Sequence, residues 1–473
     1  MLNKLSTILN KVEISGFLLL IFPFFDFIFK NFYYFLPAEI FLIFLYYVIL
    51  YLVLILFSKI AKKYYDIFLV SSSFIISLFY YHVWLLVFCV LLIFVIKKKY
   101  KLINIFMIFL LISCLNPYFK LIKNDFLYND KFIKKCNSNV EFKDVKFSHK
   151  PNIYYFYLES YTGKVALKEL FEYDNQKFLS AIEDRGFYIW KNSYSNYDAT
   201  YSSLFSTFTM ANNYNSINVF KSISAQKTVM GGKYNSLVNV LKKNGYDINY
   251  YFYPTQFVRP FNSDAKFVKL PKVSLLRAFN YIMRKPTDLS DPNFPCDLAE
   301  NSAILRRDFI KNLSLNKPQF YFIKFSKIKH LHPMFEYKPN FNENYISNLE
   351  ITNFELLNII DFIIKNDKDA VIVLLGDHGS RVFEFSKVSN VDFSLSQFNV
   401  LLSIRNPYEN EKSRPEILSN VNVFRYIIST LTDSYDYEKH KRENMSFGYW
   451  NIIHVLDGKV FENPVKFKEK VWR

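Results

Sequence analysis

The segment LLGDHGSR, Leu374–Arg381, places an acid, an imidazole, a glycine and a cation directly after an apolar run. The preceding run, AVIVLL, has the composition of a buried β-strand. Asp377 and His378 therefore follow the carboxyl end of that strand. Burial of two polar side chains is costly unless they bind something, and both residue types ligate metal ions. The segment predicts a ligand site at a strand end.

A second apolar strand also ends in an acid. The segment NIYYFYLES, Asn152–Ser160, indicates a strand with Glu159 at its C-terminal end. In α/β proteins, ligands bind beyond the carboxyl ends of the strands. Glu159, Asp377 and His378 together would suit a divalent cation, either Zn²⁺ or a harder ion such as Mn²⁺. Taken singly, each segment has the alternative interpretation of a helix cap or a surface acid.

A hydroxyl-rich segment, SYSNYDATYSSLFSTFTM from Ser193 to Met210, contains the candidate nucleophile. The pattern indicates that a helix begins near Thr200. A helix N-terminus favours a bound phosphate or sulfate, because its N–H groups and the positive end of its dipole face the anion. A metal ion beside a hydroxyl would stabilise the alkoxide at neutral pH. The alternative interpretation of this segment is a capping loop without catalytic function.

The segments that carry these residues alternate between strand and helix. FLSAIEDRG indicates a helix that ends at a glycine, YNSLVNVLKKNGYDINYYFYP a helix followed by a strand, and QFYFIKFSK another strand. The segment NLEITNFELLNIIDFIIKND then has apolar residues at helical spacing and leads into AVIVLL. Strands that alternate with helices predict an α/β domain with a mostly parallel central sheet, covered on both faces.

Five apolar spans precede this domain and predict an N-terminal all-α transmembrane bundle. They are approximately Ile14–Phe29, Tyr34–Ser58, Ile67–Tyr80, His82–Ile96 and Leu102–Tyr118. The second is long enough to cross a bilayer on its own, whereas the third and fourth could form one bent unit. Lysine clusters before the first span, after the second and after the fourth predict a cytoplasmic N-terminus. Five crossings then predict an extracytoplasmic domain.

The net charge of +17 has an ordinary source, because many of the lysines lie in the predicted cytoplasmic loops. The sequence has no RNA-binding signature and no zinc-knuckle spacing, so we expect no nucleic-acid partner. Cys136 and Cys296 both fall in the predicted outer domain, where an oxidising compartment would permit a disulfide. The sequence leaves both outcomes open, because it does not show whether their geometry permits a bridge.

Four segments, in order and spacing, resemble a known family: NIYYFYLESYTG, SNYDATYSSLFSTF, KHLHPMF and LLGDHGSR. They are similar to the alkaline-phosphatase superfamily, in its sulfatase-like branch, which includes membrane-bound phosphoethanolamine transferases and lipoteichoic-acid synthases. The resemblance covers about residues 150 to 405. Those transferases also have an N-terminal membrane anchor and an extracytoplasmic catalytic domain. The resemblance therefore implies a multi-pass protein of the bacterial inner or cytoplasmic membrane.

The resemblance also implies roles for individual residues. Glu159, Thr200, Asp377 and His378 would hold the metal ion, with Thr200 as the nucleophile. His332 would contact the phosphoryl group or the leaving oxygen, and His330 competes for that role. Arg381 would bind an anionic headgroup, although a solvated arginine is an equal alternative.

The nucleophile segment lacks the cysteines that flank it in many phosphoethanolamine transferases. It also lacks the C/S-x-P-x-R motif of sulfatases, which argues against sulfate hydrolysis.

The predicted function is metal-dependent transfer of a phosphoethanolamine- or phosphoglycerol-type group, through a threonine intermediate, from a membrane lipid donor to a surface glycan or lipid. The alternatives are a hydrolase with the same site and a catalytically degenerate membrane protein. The predicted division is an anchor over 1–120, a linker over 121–150, a catalytic domain over 151–435 and its C-terminal tail over 436–473. The sequence does not identify the group transferred or the oligomeric state.

Overall fold

The computed structural model describes residues 11–31, 37–60, 64–78, 100–113, 139–191, 193–212, 235–252, 265–269, 298–313, 317–325, 328, 341–381, 390–416, 418–447, 454–456 and 459–461. The chain divides into two compact units. One contains the described helices before residue 114, and the other contains the described residues from Asn139 onward. Cys136 and Cys296 lie outside the described residues.

The described part of the first unit is helical. Its helices are α1 (Val12–Asn31), α2 (Pro37–Ile60), α3 (Tyr65–Leu78) and α4 (Tyr100–Ser113). Within α2, the stretch Ile40–Ile60 is long and apolar enough to cross a membrane, as predicted for the second span. At about 1.5 Å per residue, its 21 residues match the thickness of a bilayer core.

The other predicted spans have a different outcome. Within the described part of the chain, α1 and α4 contain the shorter apolar stretches Val12–Phe22 and Tyr100–Ile112. The predicted span His82–Ile96 lies outside the described residues. Among the residues that the structure describes, α2 is therefore the one candidate membrane span, and the five-helix bundle stays a prediction.

The second unit is built on a mostly parallel sheet of seven described strands, in the order β2-β7-β6-β1-β5-β3-β4. The strands are β1 (Ile153–Leu158), β2 (Tyr188–Ile189), β3 (Asp247–Phe252), β4 (Lys266–Lys269), β5 (Gln319–Phe325), β6 (Val371–Gly376) and β7 (Leu402–Arg405). Strands β1, β3, β4, β5 and β6 run parallel, while β7 pairs antiparallel with β6 and with β2. This arrangement confirms the predicted α/β domain. Three short strands, β8 (Met445–Phe447), β9 (His454–Leu456) and β10 (Lys459–Phe461), form a separate antiparallel sheet.

Helices cover both faces of the large sheet, and β1 and β6 are therefore buried along their whole lengths. The helices of this unit are α5 (Lys164–Phe171), α6 (Gln176–Glu183), α7 (Thr200–Thr209), α8 (Ser236–Lys243), α9 (Leu298–Leu313), α10 (Phe341–Asn366), α11 (Asn390–Phe398), α12 (Asn420–Leu431) and α13 (Tyr437–His440). Apolar residues of α7, α8 and α12 pack with Tyr155 and Tyr157 on one face. Apolar residues of α6, α9 and α10 pack with Tyr154 and Phe156 on the other.

The strand register brings the two acid-bearing strand ends together. Strands β1 and β6 are direct neighbours, and their last residues, Leu158 and Gly376, are paired. On the other side of β1, Leu158 is paired with Phe325 of β5. The N–H of Asp377 continues the ladder by donating to the carbonyl of Leu158 at 3.3 Å. Glu159 and Asp377 therefore follow adjacent strand ends at one edge of the sheet.

A buried arginine anchors the far end of α7. Arg425 of α12 is 1% exposed, and its Nε donates to the carbonyl of Met210, the residue that ends α7, at 2.9 Å. Its guanidinium also donates to Tyr435 Oη at 2.9 Å and to Glu141 Oε1 at 2.6 Å. These contacts satisfy the carbonyl at the helix end and tie α7 to α12 and to the segment before β1.

We expect Arg425→Met to destabilise the protein strongly, because it would leave Glu141 and the Met210 carbonyl without this donor. Removal of one partner from a buried ion pair costs about 3–5 kcal/mol. Arg442→Met is the matched control, since Arg442 also contacts Glu141 Oε1, at 3.1 Å, but its side chain is 38% exposed. The control should cost less than about 1 kcal/mol. Urea unfolding would measure both, and equal losses would contradict the assigned role of Arg425.

Candidate active site

Asp377 is a buried carboxylate that accepts four hydrogen bonds at this edge of the sheet. Its side chain is fully buried, and its Oδ1 accepts the N–H groups of Ser160 at 2.7 Å and His378 at 2.8 Å. Its Oδ2 accepts the hydroxyls of Tyr157 at 2.5 Å and Thr200 at 2.9 Å. Burial raises the pKa of Asp377, nearby Glu159 raises it further, and the hydrogen bonds act in the opposite direction. Four donors thus stabilise this buried carboxylate.

Ser160 adopts a left-handed backbone conformation, with φ of 56°, immediately after Glu159. Non-glycine residues pay a steric cost in this region, and such residues concentrate at functional sites. In this conformation Ser160, which follows β1, donates its N–H to the carboxylate of Asp377, which follows β6. The strained residue therefore links the end of β1 to the residue that follows β6.

The buried imidazole of His378 presents an unprotonated nitrogen to the site. Its Nδ1 lies 2.8 Å from the carbonyl oxygen of Gly379, which can only accept, so Nδ1 carries a proton. Burial lowers the pKa of His378 well below its ordinary value, and the charge of Arg381 adds to the effect. The ring is therefore neutral, and its Nε2 lone pair faces Thr200 Oγ1 and Asp377 Oδ2, each at 3.3 Å.

Thr200 is the first residue of α7, as the sequence predicted for the start of a helix. Residues 202–209 of this helix are buried, which fixes the helix against the sheet. Asn420, at the start of α12, adds a polar connection, because its Nδ2 donates to Ser203 Oγ and to the Gly376 carbonyl, both at 3.0 Å. Asn420 therefore joins the first turn of α7 to the end of β6, and this holds Thr200 beside Asp377.

Glu159 is placed near this cluster but contacts a lysine. Its Oε2 lies 3.1 Å from Nζ of Lys324, a residue of β5 whose side chain is fully buried. The carboxylate of Glu159 remains 12% exposed. Among the described residues, no three His, Cys, Asp or Glu side chains form a cluster of metal-site dimensions. Asp377 and His378 supply two such groups, and the third nearby group is the Thr200 hydroxyl.

The cluster of Thr200, Asp377 and His378 has the dimensions of one face of a tetrahedral zinc site. Its edges are 2.9 Å and twice 3.3 Å. Ligands of a tetrahedral Zn²⁺ at about 2.0–2.1 Å lie about 3.3 Å from one another. Asp377 Oδ2 and His378 Nε2 are both electron-rich atoms, and a cation would relieve their repulsion. These three groups fit a divalent ion, and Glu159 is the nearby candidate for a fourth ligand.

The other site residues predicted from the sequence are Arg381, His330 and His332. Arg381 is half-buried and lies in the left-handed region, with φ of 55°, and its N–H donates to the Ser396 carbonyl. Its charge acts on His378, but no contact among the described residues shows that it binds a headgroup. His330 and His332 lie outside the described residues, so the candidate for the leaving-group contact stays a prediction.

Sequence reasoning missed Tyr157, Lys324 and Asn420, each of which contacts a group of the site. Tyr157 and Lys324 are paired across β1 and β5, so their side chains lie on the same face of the sheet. A signal for Lys324 was present, since it is the single charged residue in the buried run QFYFIKF. Buried lysines are rare unless they are paired. Asn420 carried no signal, because its contacts depend on how α12 packs.

Comparison with known proteins supplies the family. The sulfatase family model matches residues 151–433. The chain belongs to the sulfatase family. This confirms the predicted resemblance to the sulfatase-like branch of the alkaline-phosphatase superfamily. No curated protein shows a significant match.

Several solved structures resemble the chain at low identity. The periplasmic domain of EcEptC from Escherichia coli, in complex with zinc, is 10% identical with a TM-score of 0.43, covering 68% of this chain and 95% of its own. A member of the alkaline-phosphatase superfamily from Vibrio parahaemolyticus is 13% identical with a TM-score of 0.44, covering 72% and 88%. The integral membrane lipooligosaccharide phosphoethanolamine transferase A from Neisseria meningitidis is 12% identical with a TM-score of 0.40, covering 87% and 78%.

Gly379 is required by packing rather than by its backbone angles. A Cβ at this position would lie 2.2 Å from the carbonyl oxygen of Ser396, which is closer than real atoms approach. The N–H of Gly379 donates to the Gln397 carbonyl at 2.7 Å. The turn Asp377–Gly379, the DHG turn, therefore packs against the end of α11. A side chain would push the turn, and with it Asp377 and His378, away from Thr200.

We expect Gly379→Ala to destabilise the protein by about 1–3 kcal/mol, the usual cost of overpacking. It should also weaken zinc binding, because the turn carries two of the three converging groups. Gly245→Ala is the contrast: Gly245 has a positive φ, but among the described residues no atom beyond its chain neighbours would lie within 4 Å of an added Cβ. Its cost should be about 1 kcal/mol, with unchanged zinc affinity. Equal effects of the two variants on zinc affinity would contradict the packing argument.

Proposed function

We propose that the protein is a membrane-anchored transferase that moves a phospho-substituent of the phosphoethanolamine or phosphoglycerol type from a lipid donor to a surface glycan or lipid. The observation that carries the proposal is the placement of Thr200 Oγ1, at a helix N-terminus, 2.9 Å from Asp377 Oδ2 and 3.3 Å from the bare Nε2 of His378. Membership in the sulfatase family supports a hydroxyl nucleophile beside a metal ion.

Thr200, Asp377, His378 and Glu159 are the proposed ligands of a divalent metal ion, with Zn²⁺ favoured and Mn²⁺ as the alternative. When bound, the ion would supply positive charge that favours the alkoxide form of Thr200 and offsets charge on the phosphoryl oxygens. Asp377 is prepared for this task by the donors that fix its orientation. His378 is prepared by its Nδ1–H contact with the Gly379 carbonyl, which directs Nε2 into the site.

The chain's residues then account for a two-step transfer. Thr200 Oγ1, after losing its hydroxyl proton to solvent, attacks the phosphorus of the donor diester; the bond to the leaving alcohol breaks, and the alcohol takes up a proton. His332 is the proposed proton donor, with His330 as the competitor. An acceptor hydroxyl next attacks the same phosphorus, its proton passes to the same histidine, and the bond between phosphorus and Thr200 Oγ1 breaks. The start of α7 favours the negative phosphoryl group in both steps, through the positive end of the helix dipole.

The proposed setting is a bacterial inner or cytoplasmic membrane with the catalytic unit on the extracytoplasmic side. An anchor over residues 1–120 would comprise about five helices, followed by a linker to 150, the catalytic domain to 435 and its tail to 473. The candidate span in α2 supports an anchor. An anchored enzyme would meet a lipid donor at the membrane surface, where both are confined.

We expect a covalent phospho-adduct on Thr200 when the full chain, purified in detergent and loaded with zinc, is incubated with phosphatidylethanolamine or phosphatidylglycerol. Mass spectrometry of the peptide that contains Thr200 would detect it. Thr200→Ala should abolish the adduct, and Thr200→Ser should retain it. Thr207→Ala is the control, because Thr207 is in the same helix but bonds the Ser203 carbonyl at 2.9 Å.

Two results would count against the proposal. Absence of an adduct with both donors, in protein shown to contain zinc, would contradict the threonine intermediate. Release of the headgroup phosphate to water at the same rate with and without an acceptor alcohol would indicate a hydrolase instead.

A further inference from the structure

Lys324 is a cation inside the candidate site that the proposed mechanism does not use. It lies in β5 with its side chain fully buried, and the other residues of this strand are apolar except Gln319. Removing an ammonium group from water is costly unless an opposite charge compensates it. The compensating carboxylate is that of Glu159, whose Oε2 lies 3.1 Å from Lys324 Nζ.

The sheet explains why the lysine is held there. Lys324 is paired with Tyr157 of β1, so both side chains lie on the face of the sheet that carries α7. The two paired residues each contact one carboxylate: Tyr157 contacts Asp377, and Lys324 contacts Glu159. The lysine position is set by the strand register, so it does not depend on a surface loop.

Glu159 therefore has two potential cationic partners, the ammonium group of Lys324 and the divalent ion of the proposed function. Two cations that share one carboxylate are only a few ångströms apart, and a buried setting screens their repulsion weakly. If Lys324 only oriented Glu159 as a ligand, its loss would weaken metal binding by about 10- to 100-fold. Repulsion between Lys324 and the divalent ion has the opposite effect, because it weakens metal binding while the lysine is present. At a separation of a few ångströms, we expect this repulsion to exceed the orienting effect.

We propose that Lys324 competes with the metal ion for Glu159 and thereby lowers the metal affinity of the site. This inference rests on the proposed function, because it assumes that a divalent ion binds beside Glu159. In the metal-free protein, the lysine compensates a carboxylate that would otherwise lie beside Asp377 without a counter-charge. In the loaded protein with Thr200 still a hydroxyl, the positive charges of the ion and Lys324 exceed the negative charges of Asp377 and Glu159, which favours an anionic phosphodiester as substrate.

The test is the zinc affinity of the full chain in detergent, measured by competition with a chromophoric chelator. Lys324→Met keeps the length of the side chain and removes its charge, and we expect at least tenfold tighter zinc binding. Lys324→Gln is the second variant, since it keeps a polar end beside Glu159 and should also bind zinc more tightly. Lys266→Met is the matched control: Lys266 pairs with Asp308 at 3.4 Å, is 44% exposed and should leave zinc affinity unchanged.

The outcomes separate this inference from the proposed function. If the wild-type chain binds zinc and both Lys324 variants bind it equally or more weakly, competition by Lys324 is wrong and the metal site stands. If the wild-type chain binds no zinc, the metal site and this inference both fail. Circular dichroism of the metal-free variants would establish that each is folded, and Lys324→Gln decides the question if Lys324→Met is not.

Discussion

The buried carboxylate of Asp377 is the interaction on which the rest of the site depends. A fully buried acid is expensive to keep ionised, and here it is stabilised by two N–H groups and two hydroxyls. Those donors come from the end of β1 and just after it (Tyr157 and Ser160), from His378 in the turn that contains Asp377, and from Thr200 of α7. One carboxylate thus ties together three parts of the chain that are far apart in sequence. Their positions are those that the proposed metal-dependent nucleophile would require.

Several features of the fold serve to keep these donors in place. Direct pairing of β1 with β6 sets Tyr157 and Ser160 beside the residue that follows β6. Asn420 joins the start of α7 to the end of β6, and Arg425 holds the other end of the same helix. Helix α7, which begins with the proposed nucleophile Thr200, is therefore fixed at both ends by α12. This arrangement restricts movement of Thr200 relative to Asp377, which is the preorganisation that catalysis by positioning requires.

The sequence predicted the parts of this arrangement that follow from local pattern. The apolar runs before Glu159 and Asp377 indicated buried strands, and the rule for parallel sheets placed both acids at one edge. The start of α7 at Thr200 was also predicted. Pairing between distant strands carries no local signal, so the contact of Lys324 with Glu159 was not foreseen. Similarly, the need for glycine at position 379, where an added Cβ would lie 2.2 Å from the Ser396 carbonyl oxygen, follows from packing against the end of α11 and carries no local signal.

We have proposed that Asp377 is a metal ligand rather than a capping residue, and the variant Asp377→Asn distinguishes these two roles. Zinc affinity and urea unfolding of the variant would be measured beside Asp367→Asn, which removes an acid near the opposite end of β6 that accepts the Tyr154 hydroxyl at 3.0 Å. We expect a folded Asp377→Asn protein whose zinc affinity falls at least 100-fold, while Asp367→Asn binds zinc normally. Normal zinc affinity in Asp377→Asn, with a stability loss of about 1 kcal/mol, would show that Asp377 is a capping residue and not a metal ligand.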